Sequence, residues 1–101
     1  SISKIFSSNY DWRYFQQVSE NKWLLGSGSV ASGGNAGILL YNSLDDSVNK
    51  IFSYGGNYDT FTQDGSNYYI ESSKKTIEPR KLYYNSTDDS IKLVGYYLGE
   101  I

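Results

Sequence analysis

An all-β protein made of two similar four-stranded antiparallel units, each of roughly 45 residues, is what this sequence predicts. Three observations carry that expectation. Short sequence segments recur in the same order along the chain. Tyr-rich and β-branched runs alternate with clusters of Asn, Asp, Ser and Gly, the residues that tight turns favour. No window of helical length repeats its apolar residues every 3.6 positions, so almost no helix is expected.

The recurrence is specific. Ser1-Ile2-Ser3-Lys4-Ile5-Phe6-Ser7 returns as Ser47-Val48-Asn49-Lys50-Ile51-Phe52-Ser53, with a weaker third copy at Ser90-Ile91-Lys92-Leu93-Val94-Gly95-Tyr96. Tyr41-Asn42-Ser43-Leu44-Asp45-Asp46-Ser47 matches Tyr84-Asn85-Ser86-Thr87-Asp88-Asp89-Ser90, and Asn9-Tyr10-Asp11 matches Asn57-Tyr58-Asp59. These anchors divide a single all-β module, residues 1–101, into one unit at about 8–53 and a second at about 54–97. In the first unit the strands are expected at Asp11–Val18, Lys22–Ser27, Gly37–Tyr41 and Ser47–Ser53. In the second they are expected at Tyr58–Gln63, Ser66–Ser72, Arg80–Asn85 and Ser90–Tyr97. Ser19-Glu20-Asn21, Asp64-Gly65, Asn42 to Asp46 and Asn85 to Asp89 supply the turns.

A strand with one wet face should alternate apolar and polar residues. Trp23-Leu24-Leu25, Ile38-Leu39-Leu40-Tyr41, Tyr68-Tyr69-Ile70 and Leu82-Tyr83-Tyr84 do not alternate, so these inner strands are expected to be covered on both faces. The fourth strands, such as Val48-Asn49-Lys50-Ile51, look wetter. Sheets stacked radially have this requirement.

On these residues the units resemble β-propeller blades of the bacterial regulator-type and WD40-like kinds. The likeness rests on Thr62-Gln63-Asp64-Gly65-Ser66-Asn67-Tyr68-Tyr69-Ile70-Glu71-Ser72 with Arg80-Lys81-Leu82-Tyr83-Tyr84-Asn85. In the first unit it rests on Val18 to Ser27 with Gly37-Ile38-Leu39-Leu40-Tyr41. The resemblance implies two four-stranded antiparallel propeller-like blades. A closed propeller has four to eight blades, so the chain is expected to be a piece of a longer array or to join copies of itself. A small β-sandwich or barrel is the alternative for a monomer.

Composition narrows the chemistry. Nine basic and eleven acidic residues leave a net charge of −2, unclustered, which does not steer the chain towards nucleic acid or an anionic membrane. No apolar run approaches the ~18 residues of a membrane span. With no Cys and no His, disulfides, thiolate or imidazole metal sites, and the usual nucleophilic triads are impossible. The absence of Met, even at position 1, suggests a processed or excised segment. The Ser/Asn/Tyr/Gly-rich texture leans towards an extracellular or cell-surface setting, where Asn85-Ser86-Thr87 would offer a glycosylation site at Asn85.

Few motifs remain. Gly26-Ser27-Gly28-Ser29-Val30-Ala31 loosely fits a dinucleotide fingerprint, but a strand rather than the required helix follows it, and no cofactor is expected. The pairs Asp45, Asp46 and Asp88, Asp89 are weak calcium candidates sitting where turns belong. Glu20, Glu71, Glu78 and Glu100 are scattered, giving no paired-carboxylate spacing. Tyr10, Trp12, Tyr14 and Phe15 crowd the first strand; Tyr10, Trp12, Arg13 and Tyr14 could form a platform for a sugar or a cationic partner, or the rings could simply fill the gap between sheets.

The expectation is a non-enzymatic binding or assembly module that pairs with itself or a longer parent chain through sheet edges. The alternatives are a lectin-like carbohydrate-binding protein, a subunit of an extracellular filament, and a fragment of a glycoside hydrolase.

Overall fold

In a computed structural model, the chain is described at residues 12–28, 37–53, 57–73 and 81–95. These residues form eight strands and no helix: β1 (Trp12–Ser19), β2 (Lys22–Ser27), β3 (Ile38–Asn42), β4 (Ser47–Phe52), β5 (Thr60–Asp64), β6 (Asn67–Glu71), β7 (Lys81–Asn85) and β8 (Ser90–Gly95). They build two four-stranded antiparallel sheets, ordered β1-β2-β3-β4 and β5-β6-β7-β8. The fold is all-β. The expected copies at Ser1–Ser7 and Asn9–Asp11 lie outside the described residues.

Turn chemistry sets each hairpin. Gly65, at φ 65°, turns β5 into β6, a conformation open to Gly at no steric cost. The β3–β4 and β7–β8 turns are built identically. Asn42 Oδ1 accepts from the Leu44 amide at 2.9 Å and Asp45 Oδ1 from the Ser47 amide at 3.1 Å. Asn85 Oδ1 accepts from the Thr87 amide at 2.9 Å and Asp88 Oδ1 from the Ser90 amide at 3.1 Å. Asp46 and Asp89 take left-handed backbone at φ 58° and 59°, which short acidic side chains tolerate better than most. Each also accepts a hydrogen bond from the hydroxyl of the penultimate residue of the preceding strand, Tyr41 to Asp46 at 2.6 Å and Tyr84 to Asp89.

The two sheets share one register. Trp23, Leu24, Leu25 and Gly26 oppose Tyr41, Leu40, Leu39 and Ile38, as Tyr68, Tyr69, Ile70 and Glu71 oppose Tyr84, Tyr83, Leu82 and Lys81. The irregularity between Ile38 and Leu39 recurs between Lys81 and Leu82. Position by position, therefore, Leu24 corresponds to Tyr69, Leu40 to Tyr83, Ile38 to Lys81 and Gly26 to Glu71.

Corresponding side chains also point the same way. Leu24, Ile38 and Leu40 of the first sheet pack against Tyr68, Ile70, Leu82 and Tyr84 of the second, with Tyr58 between them. On the opposite face of the first sheet Trp12, Leu25, Leu39 and Tyr41 form a second buried cluster flanked by Trp23. Because side chains alternate along a strand, Leu25, Leu39 and Tyr41 face away from the second sheet. Their counterparts Ile70, Leu82 and Tyr84 face towards the first. The sheets are thus stacked head to tail rather than as mirror-like halves of a sandwich. Burying a Leu or Ile fully in such a seam contributes about 1.5–3 kcal/mol.

One segment departs from the expected strands. Tyr58 and Asp59 do not pair with β6, and β5 begins at Thr60. Instead the Tyr58 amide donates to the Ser27 carbonyl at 3.1 Å, so this stretch is pinned across the first sheet and carries the chain between sheets. Fixed by the same crossing, the Tyr14 hydroxyl donates to Asn57 Oδ1 at 3.3 Å. At the turn end of the stack, Lys22 Nζ bridges to Asp89 Oδ2 at 2.8 Å, both side chains about a third exposed.

A second departure concerns coverage. Leu24, Leu25, Ile38, Leu39, Leu40 and Tyr41 are buried on both faces of the first sheet. In the second sheet only Tyr68, Ile70, Leu82 and Tyr84 are buried, whereas Tyr69 and Tyr83 stay half-buried. The expectation of two-sided cover is corrected there, because no described strand packs over that outer face. The fourth strands are wet as expected, with Val48 41% and Leu93 39% exposed.

Candidate binding face

Among the described residues, Trp12, Arg13 and Tyr14 do not form the open platform considered for the first strand. Trp12 is 1% exposed and packs in the core with Leu25, Leu39 and Tyr41. Lys50 Nζ stands over its ring, 5.8 Å from the centroid. A buried indole offers no stacking surface to a sugar. Arg13, on the opposite side of the strand, is exposed and lies against Gly28, where a Cβ would stand 2.2 Å from Arg13 Cδ. Tyr14 is half-buried and committed to Asn57. Tyr10 lies outside the described residues, as do Glu78 and Glu100.

The acidic pairs serve the turns. Hydrogen bonds from the Ser47 side chain and amide hold the Asp45 carboxyl below its ordinary value. Burial pushes Asp89 up, but hydrogen bonds from Lys22 and Tyr84 and the Lys22 charge outweigh it, leaving the carboxyl lowered. Burial, with the same carboxylate second, raises the Tyr84 hydroxyl well above 10, and the hydrogen bond to Asp46 raises Tyr41. Asp88 Oδ1 also accepts from Ser90 Oγ at 2.6 Å. Among the described residues no group of three or more acidic side chains is placed to share a metal ion. Asn85 closes β7 half-buried, its side-chain oxygen engaged in the turn. Glu20 sits in the β1–β2 turn and Glu71 at the end of β6, in different sheets.

The outer face of the second sheet is where side chains converge in the open. Tyr69 and Tyr83 lie edge to face, with centroids 4.7 Å apart at 63°. Lys81 Nζ stands 4.8 Å over the Tyr69 ring, a favourable cation–aromatic placement. With Lys92 and Val94 the two rings line a depression of about 180 Å³. Tyr83 is held in place by its hydroxyl, which donates to Asp64 Oδ2 at 2.8 Å and accepts from Asn67 Nδ2 at 2.9 Å. The Asp64 hydrogen bond raises the Tyr83 hydroxyl above its ordinary value, against the opposing effect of Asn67. Asn67 is anchored in turn, since its Oδ1 accepts from the Ser86 amide at 2.9 Å.

None of these residues stands out in the linear pattern, where Tyr68-Tyr69-Ile70 and Leu82-Tyr83-Tyr84 look doubly covered. Aligning the two units would have exposed them. At positions where the first sheet buries Leu24, Gly26, Ile38 and Leu40, the second presents Tyr69, Glu71, Lys81 and Tyr83. Lys92 likewise replaces Asn49. An apolar seam has been rewritten as an aromatic and charged surface.

Comparisons with family models, with characterised proteins and with solved structures return no match. No helix among the described residues is long and apolar enough to cross a membrane.

Proposed function

We propose that the chain is a non-enzymatic binding module: two propeller-like blades stacked head to tail, with the outer face of the second presented to a partner. One observation carries the reading. The face that corresponds to the buried seam of the first sheet is half-exposed and holds Tyr69, Tyr83, Lys81 and Lys92 instead of Leu, Ile and Asn. Such a face is poor at recruiting another apolar sheet. It suits a partner needing both flat apolar contact and polar groups, because tyrosine supplies each with few rotatable bonds. The test is biolayer interferometry of the immobilised chain against neutral trisaccharides, a tetraglutamate peptide and a second copy of the chain. Binding that a Tyr69→Ser, Lys92→Glu double variant loses supports the reading. Binding indifferent to that variant, or none at all, refutes it.

A second reading is assembly with itself or a longer parent chain, as a ring of blades or an extracellular filament. The favouring observation is that among the described residues β4 and β8 end their sheets, with Val48, Leu93 and Val94 about two-fifths exposed, and sheet edges template strand addition. Light scattering decides this. A ring of four to eight blades requires two to four copies, and a monomer of 11.4 kDa at every concentration refutes it.

A further inference from the structure

We infer that the Tyr69–Tyr83 depression is a subsite for one pyranose ring of a neutral oligosaccharide; this rests on the binding-module reading and gives it a ligand class. Size is the first argument. About 180 Å³ falls below the ~300 Å³ of pockets that take drug-sized ligands, so the site accommodates one small ring. The second is shape. Tyr69 is half-buried and meets Tyr83 edge to face, and Val94, 44% exposed, closes the wall. The C–H face of a pyranose presents a surface of the kind that packs against such rings, and Tyr83 cannot swing away because Asp64 and Asn67 hold its hydroxyl.

Charge is the third argument, and it separates a neutral ligand from an ionic one. By strand alternation Asp64 and Glu71 share the outer face with Lys81 and Lys92, so two carboxylates balance two ammonium groups. An anionic saccharide or an acidic peptide would meet Asp64 and Glu71, and a cationic partner would meet Lys92. Hydroxyl groups donate and accept, so a polyol can use both signs at once. The Lys92 and Glu71 side chains make no hydrogen bond or ion pair among the described residues, and Asp64 commits only Oδ2 to Tyr83. Donors and acceptors of both kinds therefore border the same ring-sized depression.

The experiment is isothermal titration calorimetry of the 101-residue chain with cellotriose, maltotriose, chitotriose and galactotriose, with trigalacturonate and tetraglutamate as charged probes. At least one neutral trisaccharide should bind. Tyr69→Ser should weaken it about tenfold, in line with loss of an aromatic anchor. Raising sodium chloride from about 0.05 to 0.5 M should leave the affinity unchanged, since no net ionic contact is made. Circular dichroism checks that the variant is folded, as expected for a half-exposed side chain. Tighter, salt-sensitive binding of either charged probe overturns the neutral-saccharide inference but keeps the binding-module reading. Neutral-sugar binding that survives Tyr69→Ser overturns this subsite. Binding by no probe overturns both.

Discussion

Replacing Gly26 by alanine probes the stacking on which the functional reading rests. A Cβ at this position would stand 2.6 Å from the Tyr58 carbonyl oxygen and 3.0 Å from Tyr58 Cβ. The first is a backbone atom and cannot rotate aside, so the Tyr58 segment must lift from β2. That movement also strains the Tyr58 amide to Ser27 carbonyl bond of 3.1 Å and loosens Tyr58, which is fully buried between the sheets. Overpacking one methyl group into such a seam costs about 1–3 kcal/mol. Alanine would otherwise gain about 0.5–1 kcal/mol over glycine in a strand; because the obstacle is backbone, the cost falls in the upper part of its range and a net loss of about 1–2 kcal/mol is expected. For a domain of this size that lowers Tm by roughly 4–16 °C. Urea unfolding followed by circular dichroism measures it, with m unchanged if the unfolded state is unaffected. A neutral or stabilising Gly26→Ala would show that the Tyr58 crossing does not press on β2, and the head-to-tail packing would fall with it.

Other expectations follow from the same contacts. Trp12→Ala should destabilise the fold by about 3–5 kcal/mol, the usual range for deleting a buried indole; a loss under 1 kcal/mol would return Trp12 to the surface. Asp89 has a folded pKa below its ordinary 3.8, so its contribution is complete above that value and is lost as pH falls through the lowered one. Acid titration of Asp89→Asn should therefore be flatter below pH 3.8 than that of the parent. Tyr84 is raised above 10.0, so its contribution is present below pH 10 and lost as pH rises through the folded value. Tyr84→Phe should flatten the alkaline limb while costing about 1 kcal/mol for the hydrogen bond at neutral pH; an alkaline limb identical to the parent's would contradict the Tyr84–Asp89 contact. Gly37→Ala should prevent folding or nearly so, because φ is +114° and the new Cβ would meet the Phe52 carbonyl oxygen at 1.9 Å.

Residue order alone determined the strands, their turns and the repeat. The physical reason is that each is a local property. Asn42, Asp45, Asn85 and Asp88 bond amides two residues on, and alternation along a strand is fixed by the pleat. The strand ends consequently fall within one or two residues of their expected places, Tyr97 apart, which lies beyond the described residues. Which face of each sheet meets another is not local. Trp12, which the sequence allows as either a platform or a packing residue, is buried, while Tyr69 and Tyr83 read as core and stand half open. An aromatic side chain suits either environment, so only the stacking direction, set where Tyr58 crosses Gly26, assigned the inside and the outside.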